Sequence, residues 1–181
     1  MTRPTLLGIA GALRSGSTNR KLVREAARLF GPGDFAEADL RLPLYDGDLE
    51  AEGTPSAVTR LAGQINETDA VVISTPEYNS ALSGVLKNAL DWVSRTEGNP
   101  WEDKPVAIVS AAAGRAGGAR AQSSLRLAMT PFRPRLLTGP EVMIADARNA
   151  FDEDGRLTNE RSLTTLGKLM TALRSEALRA A

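Results

Sequence analysis

Three short segments of this 181-residue chain combine small and polar residues in ways that suit a ligand. The first, Gly11-Ala-Leu-Arg-Ser-Gly-Ser-Thr-Asn19, offers Arg14, the hydroxyls of Ser15, Ser17 and Thr18, and the amide of Asn19. Placed at a helix N-terminus, such a loop presents free backbone N–H groups and the positive end of the helix dipole to a phosphate. It reads equally well as a tight turn leading into a capped helix. The second, Pro76 to Gly84, follows an apolar run and offers Tyr78 for stacking together with exposed backbone groups, which suits a planar, heteroatom-rich ligand. Pro76, Asn79, Ser80 and Gly84 are also plain turn formers, and Asn79 and Ser80 fit a helix N-cap. The third, Ser110 to Gly118, contains Gly114 and Gly117, small enough for backbone to approach a ligand closely, or simply to form a flexible connection.

Two familiar phosphate motifs fail against the first segment. Gly11 to Thr18 has P-loop spacing, but Ser17 stands where the lysine must be. Gly8-Ile-Ala-Gly11 lacks the G-x-G-x-x-G spacing of a dinucleotide fingerprint. A serine-rich loop without the lysine suits the single terminal phosphate of a mononucleotide.

The chain contains no histidine and no cysteine. A Ser-His-Asp hydrolase, a thiolate nucleophile and a Cys-ligated metal are therefore excluded, and an enzyme built from these residues leans on a bound cofactor. Equal numbers of basic and acidic side chains, 22 each, give no overall field that favours nucleic acid or an anionic membrane. Basic residues thicken from Arg115 to Arg135, which reads first as a solvated helix face and second as a local anion site. The start, MTRPTLLGIAGALRSG, does not resemble a signal peptide, and no apolar run approaches the ~20 residues of a spanning helix. A cytoplasmic location is the expectation.

The elements that must position these loops follow from periodicity. Thr5–Gly11, Asp69–Thr75 and Pro105–Ser110 are apolar runs of the kind found in strands covered on both faces. A weaker strand is predicted near Phe35–Leu40 and a last one over Leu136–Ile144. Helical spacing marks Asn19–Phe30, stopped by Gly31-Pro32-Gly33, then a helix capped by Ser56 and running through Ile65. Further helices follow the second loop to Arg95, the third loop to Met129, and cover Ser162–Leu178. Leu42–Thr54 reads as a loop. Leu82, Val85, Leu86, Leu90 and Val93 form a core stripe, with Trp92 placed at its edge as a candidate subunit contact, and Asp91 pairs with Lys87 or Arg95. Strands alternate with helices throughout, so one domain over residues 1–181 with a parallel sheet and helices on both faces is expected. Right-handed crossovers bring all three loops to one sheet edge.

Taken together, the segments resemble the NADPH-dependent FMN reductase family, whose members include chromate and quinone reductases. Gly11–Asn19 is similar to that family's G-S-L-R-x-x-S-x-N loop, Pro76–Asn79 to its P-E-Y-N, Gly84–Trp92 to G-x-L-K-N-A-x-D-W, and Gly114 with Gly117–Gln122 to G-x-x-G-G-x-R-A-Q. The resemblance implies a flavodoxin-like three-layer sandwich with a five-stranded parallel sheet in the order 2-1-3-4-5. It implies FMN as cofactor, NADPH or NADH as co-substrate, and a small-molecule acceptor such as a quinone, chromate, an azo compound or free flavin. Arg14, Ser15, Ser17, Thr18 and Asn19 would hold the phosphate. Pro76, Glu77, Tyr78, Asn79 and Ser80 would lie along the flavin ring, with Ser110, Gly114 and Gly117 on its other side. A homodimer or homotetramer is implied, without nucleic-acid or membrane partners. Ala81, Ser83 and Ala112 depart from the family's usual Ser, Pro and Ser, which implies a looser second loop and one fewer side-chain hydrogen bond near the ring. A flavodoxin-type electron carrier and a flavin-free binding protein are the competing readings; the balanced charge argues against the carrier.

Overall fold

Three strands, β1 (Leu6–Ala10), β3 (Ala70–Thr75) and β4 (Pro105–Ala111), are buried at every residue, and a strand without a polar face must be covered on both sides. The structure, a computed structural model, describes residues 3–180; Met1, Thr2 and Ala181, which belong to the one-domain expectation, lie outside the described residues. All pairings are parallel, and the strand order is β2-β1-β3-β4-β5, with β2 at Phe35–Glu37 and β5 at Arg135–Leu136. A sixth strand, β6 (Val142–Ile144), pairs with Val109–Ala111 of β4.

Alternate side chains of the central strands face opposite layers. Leu6, Val72 and Val109 meet α1 (Thr18–Phe30) and α6 (Glu160–Ala180) through Leu22, Val23, Leu166, Met170 and Leu173. Leu7, Ile73 and Ile108 meet α3 (Ser56–Glu67), α4 (Gly84–Val93) and α5 (Ala119–Met129) through Leu61, Ile65, Leu86, Leu90 and Leu125. Gly8 lets α1 lie directly on β1: a Cβ there would stand 2.2 Å from Val23 Cγ1. That close approach fixes the N-terminus of α1 at the carboxyl edge of the sheet.

The structure departs from the sequence reading in four places. The single last strand over Leu136–Ile144 is two short strands on the free edge of β4, giving six rather than five; Gly139-Pro140 lies between them, and proline cannot donate to the ladder. The loop Leu42–Thr54 contains a short helix, α2 (Gly47–Glu52), whose N-cap Asp46 accepts from the Asp48 N–H at 2.9 Å. Ser56 does not cap α3. It is the first helical residue, and Pro55 at the cap position supplies only its carbonyl, to the N–H groups of Val58 and Thr59.

Trp92 is not at a subunit-facing edge. It is fully buried, its indole N–H donates to the Pro43 carbonyl at 2.8 Å, and Tyr45 meets its ring edge-on with centroids 5.1 Å apart. The segment before α2 therefore covers it. Asp91 pairs with Lys87 at 2.6 Å, while Arg95 reaches across to Glu50 of α2 at 2.9 Å.

Candidate functional site

Parallel strands all deliver their following loops to the same edge, and here a cleft of about 410 Å³ opens there. It is lined by Gly11–Arg14, Ser17–Asn19, Pro76–Tyr78, Val85, Ala111–Ala113, Ala147 and Arg148. A larger hollow of about 570 Å³ lies between α3 and residues 95–100, after the C-terminus of α4. Exposed carbonyls at a helix C-terminus disfavour an anion, and that hollow receives none of the three loops.

The first loop ends in a true cap. Ser17, buried, accepts from the Asn19 N–H at 3.2 Å and begins α1. Among the described residues, the N–H groups of Arg14, Ser15, Gly16 and Thr18 have no protein acceptor, so several backbone donors converge where the helix dipole is positive. Asn19 does something else. Its Oδ1 accepts from Ser74 Oγ (2.7 Å) and from the Ala111 N–H (3.1 Å), and its Nδ2 donates to the Ala111 carbonyl (2.9 Å). All of that amide's geometry serves to tie α1 to the ends of β3 and β4.

The second loop is a two-residue turn. Tyr78 and Ala81 exchange backbone hydrogen bonds at 3.2 and 3.1 Å, and Asn79 and Ser80 between them have φ of 50° and 65°. Side chains with short polar groups tolerate that left-handed geometry. Asn79 and Ser80 are therefore the turn itself; the cap of α4 is Ser83, buried, whose Oγ accepts from the Leu86 N–H at 3.3 Å. With Leu82 N–H donating to Ser124 Oγ at 2.7 Å, the loop is held despite Ala81 and Ser83. Glu77 turns its Oε2 to the N–H groups of Arg120 (3.1 Å) and Ala121 (3.3 Å), the first turn of α5. Tyr78 is left 60% exposed at the rim.

In the third loop Ser110 is fully buried, donating to the Gly117 carbonyl at 2.6 Å and accepting from Gln122 Nε2 at 2.9 Å. Gly117 has φ of 59°, and a Cβ on it would lie 2.7 Å from the Met143 carbonyl carbon. These residues shape the loop, and Ala111, Ala112 and Ala113 present it to the cleft.

Of the residues singled out from sequence, Arg14, Ser17, Thr18, Asn19, Pro76, Glu77 and Tyr78 line the cleft. Ser15, Asn79, Ser80, Ser110, Gly114 and Gly117 stand outside its lining. The sequence reading missed Val85, Ala147 and Arg148. Ala147 and Arg148 follow β6, and the rule that every parallel strand ends at this edge was the available signal.

The lining fits FMN. Unclaimed amides, hydroxyls and Arg14 form a donor set for a phosphate, and the alanines with Val85 supply apolar lining for a ring. The volume lies in the range of cofactor sites, roughly 300–1,000 Å³. Among the described residues no group of three or more metal-binding side chains occurs, and no helix is long and apolar enough to cross a membrane.

Comparison with known proteins agrees with this geometry. Residues 4–149 match the family model described as NADPH-dependent FMN reductase. The chain is 46% identical over 170 residues to an NAD(P)H-dependent FMN reductase of Pseudomonas aeruginosa, covering 93% of this chain and 92% of that protein. It is 37% identical over 170 residues to a quinone reductase of Escherichia coli, covering 91% and 90%. Among solved structures it is similar to the flavoenzyme NAD(P)H:(acceptor) oxidoreductase FerB of Paracoccus denitrificans, with a TM-score of 0.87, 33% identity, and 97% and 98% of the two chains covered. On the fold, the cleft and these matches together, the chain belongs to the NADPH-dependent FMN reductase family.

Proposed function

We propose that this chain is an FMN-dependent NAD(P)H oxidoreductase that passes electrons to a quinone-class acceptor. The observation that carries this reading is the cleft itself: unclaimed amides at the N-terminus of α1 on one side, the alanine wall of the β4 loop on another, and an exposed Tyr78 at the mouth. Bound FMN would supply the hydride-accepting and electron-donating chemistry, which explains a site without histidine or cysteine.

The chain's own contribution is binding and orientation. Arg14, Ser15, Ser17 and Thr18, with their neighbouring amides, hold the phosphate; Asn19 fixes the position of that loop against β3 and β4. Pro76–Tyr78 flank the ring, Asn79 and Ser80 form the turn that carries Tyr78, and Ser110, Gly114 and Gly117 shape the opposite loop. Glu77 holds the first amides of α5 through its Oε2, a positioning role. Tyr78 and the open rim admit a second planar molecule, either the nicotinamide or a quinone; chromate, azo compounds and free flavin are further candidate acceptors.

A single experiment tests the reading. Freshly purified protein should be yellow with a flavin absorption spectrum, and NADH or NADPH should bleach it until a quinone restores the colour. Colourless protein that cannot be reconstituted with FMN would sink the proposal. Yellow protein that leaves NAD(P)H untouched would point to an electron carrier.

The assembly proposed is a homodimer or homotetramer working in the cytoplasm. Leu127, 76% exposed on α5 beside a groove that includes Leu90, Pro131 and Phe132, supports a surface of this kind. A monomeric mass by light scattering at working concentration would contradict it.

A further inference from the structure

Beyond the family's three loops, the cleft has a fourth wall, built by the excursion between β6 and α6. The start of that excursion extends the β4–β6 ladder past the sheet: Ala112 N–H donates to the Ile144 carbonyl at 3.0 Å, and Ala147 N–H donates to the Ala112 carbonyl at 3.1 Å. Ala147 is buried by this arrangement. The chain then turns, with Phe151 and Leu157 bridged, and runs beside α1. Lys21 Nζ stands 5.9 Å from the Phe151 ring centroid, and Arg156 donates to the buried Glu25 at 3.1 Å. Two anchors on successive turns of α1 thus hold the excursion beside the helix whose N-terminus faces the cleft. Arg148 lies between the ladder and these anchors, and it lines the cleft.

Its guanidinium is uncommitted: among the described residues it has no ion pair or hydrogen bond, whereas Arg20, Arg24, Arg28, Arg95 and Arg156 all have carboxylate partners. Asp146, two residues earlier, is taken by Asn149, whose Nδ2 donates to it at 3.0 Å. The single carboxylate among the lining residues, Glu77, is held by the amides of α5. The cleft lining therefore includes two arginines whose guanidinium groups have no protein partner among the described residues, Arg14 and Arg148, carried by different loops. Planar guanidinium forks match phosphate oxygens, and two of them satisfy a dianion that one leaves half-neutralised.

We infer that Arg148 is a second guanidinium on the 5′-phosphate of FMN, acting with Arg14, and that the anchored excursion serves as its mount. This rests on the FMN reading. The test is titration of flavin-stripped full-length protein with FMN and with riboflavin, which lacks the phosphate, for wild type, Arg148→Gln, Arg148→Lys and the surface control Arg161→Gln. FMN dissociation should weaken about tenfold in Arg148→Gln, the scale of one lost charge-assisted hydrogen bond. Riboflavin affinity should not change, Arg148→Lys should fall between, and the FMN affinity of Arg148→Gln should depend less on salt. FMN affinity equal to wild type, or equal weakening for both flavins, would overturn the inference. So would an effect confined to the KM for NADPH relative to NADH, which would make Arg148 a co-substrate residue. Wild-type protein that binds neither flavin would instead defeat the functional reading; normal FMN binding by wild type and Arg148→Gln alike would defeat this inference alone.

Discussion

Asn19 and Ala111 exchange two hydrogen bonds across 92 positions of sequence: the side-chain amide donates to the Ala111 carbonyl at 2.9 Å and accepts from the Ala111 N–H at 3.1 Å. A side chain here imitates the edge of a strand. It closes the end of β4, receives Ser74 Oγ from β3, and holds the first turn of α1 in line with both. The phosphate binding proposed for the loop before α1 depends on that alignment.

Asn19→Asp tests this with almost no change of shape. The donor to the Ala111 carbonyl disappears, and a negative charge arrives beside the phosphate loop. A buried acceptor without its partner costs about 1–3 kcal/mol. Urea denaturation should show that loss, and FMN titration should show a weaker complex; unchanged values for both would refute the assigned role.

Glu77 and α5 form a helix cap in trans. Gly118, at the N-cap position, has no side chain to offer, and the carboxylate comes from Glu77, 43 residues before Arg120. Glu77→Ala should cost about 0.5–2 kcal/mol, the range for loss of a cap. If the carboxylate serves only to hold these amides, the pH profile of quinone reduction should keep its shape in Glu77→Gln. A lost or displaced ionisation in that profile would make Glu77 an acid–base group.

Gly117→Ala should disturb the third loop from within. The new Cβ would meet the Met143 backbone at 2.7 Å, at a φ of 59° that alanine rarely adopts. A cost of about 1–3 kcal/mol is expected from the strain. FMN affinity should fall together with the urea midpoint, since Ala111–Ala113 share the loop; a variant with wild-type midpoint and affinity would refute the packing argument.

Glu25 gives a pH dependence. Burial by itself would raise its pKa, but hydrogen bonds from Arg28 and Arg156, with their charges, outweigh this and hold it below the ordinary carboxylate value. The unfolded chain then binds more protons in the acid window, so stability rises with pH there. The contribution is fully present above the unfolded value near 4.5 and is lost as pH falls through the depressed native one. Glu25→Gln should flatten part of the acid-side decline in urea midpoint. At neutral pH it should cost about 1.5–3 kcal/mol, nearer the lower figure because both arginines are half-exposed. An unchanged acid limb would show that the ion pair does not contribute.

Much of the fold was legible without coordinates, because its signals are local. The continuous apolar runs that became β1, β3 and β4 read as strands covered on both faces, being short, bounded by turn residues and, in β3 and β4, rich in β-branched side chains, and the helical spacing of α1, α4 and α6 is visible within any two turns. The parallel arrangement then placed three loops at one edge; their residue types suited a mononucleotide phosphate and a planar ligand, and their resemblance to the NADPH-dependent FMN reductase family implied FMN. What the residues do there was not legible, because it depends on partners far away in sequence. Asn19 and Ser110 have the chemistry of ligands, yet the tertiary structure spends their hydrogen bonds on Ala111, Ser74, Gly117 and Gln122. Trp92, wide and at the edge of its stripe, is covered by a segment whose short helix carries no long periodic signal. Arg148 lies in an irregular stretch with no pattern of its own, and reaches the cleft only because β6, Lys21 and Glu25 hold that stretch in place. Period determined which layers this chain forms, and the residue types of its loops which kind of ligand, planar and phosphate-bearing, its edge suits. Long-range hydrogen bonds, which no local spacing encodes, decided which side chains stay free to bind it.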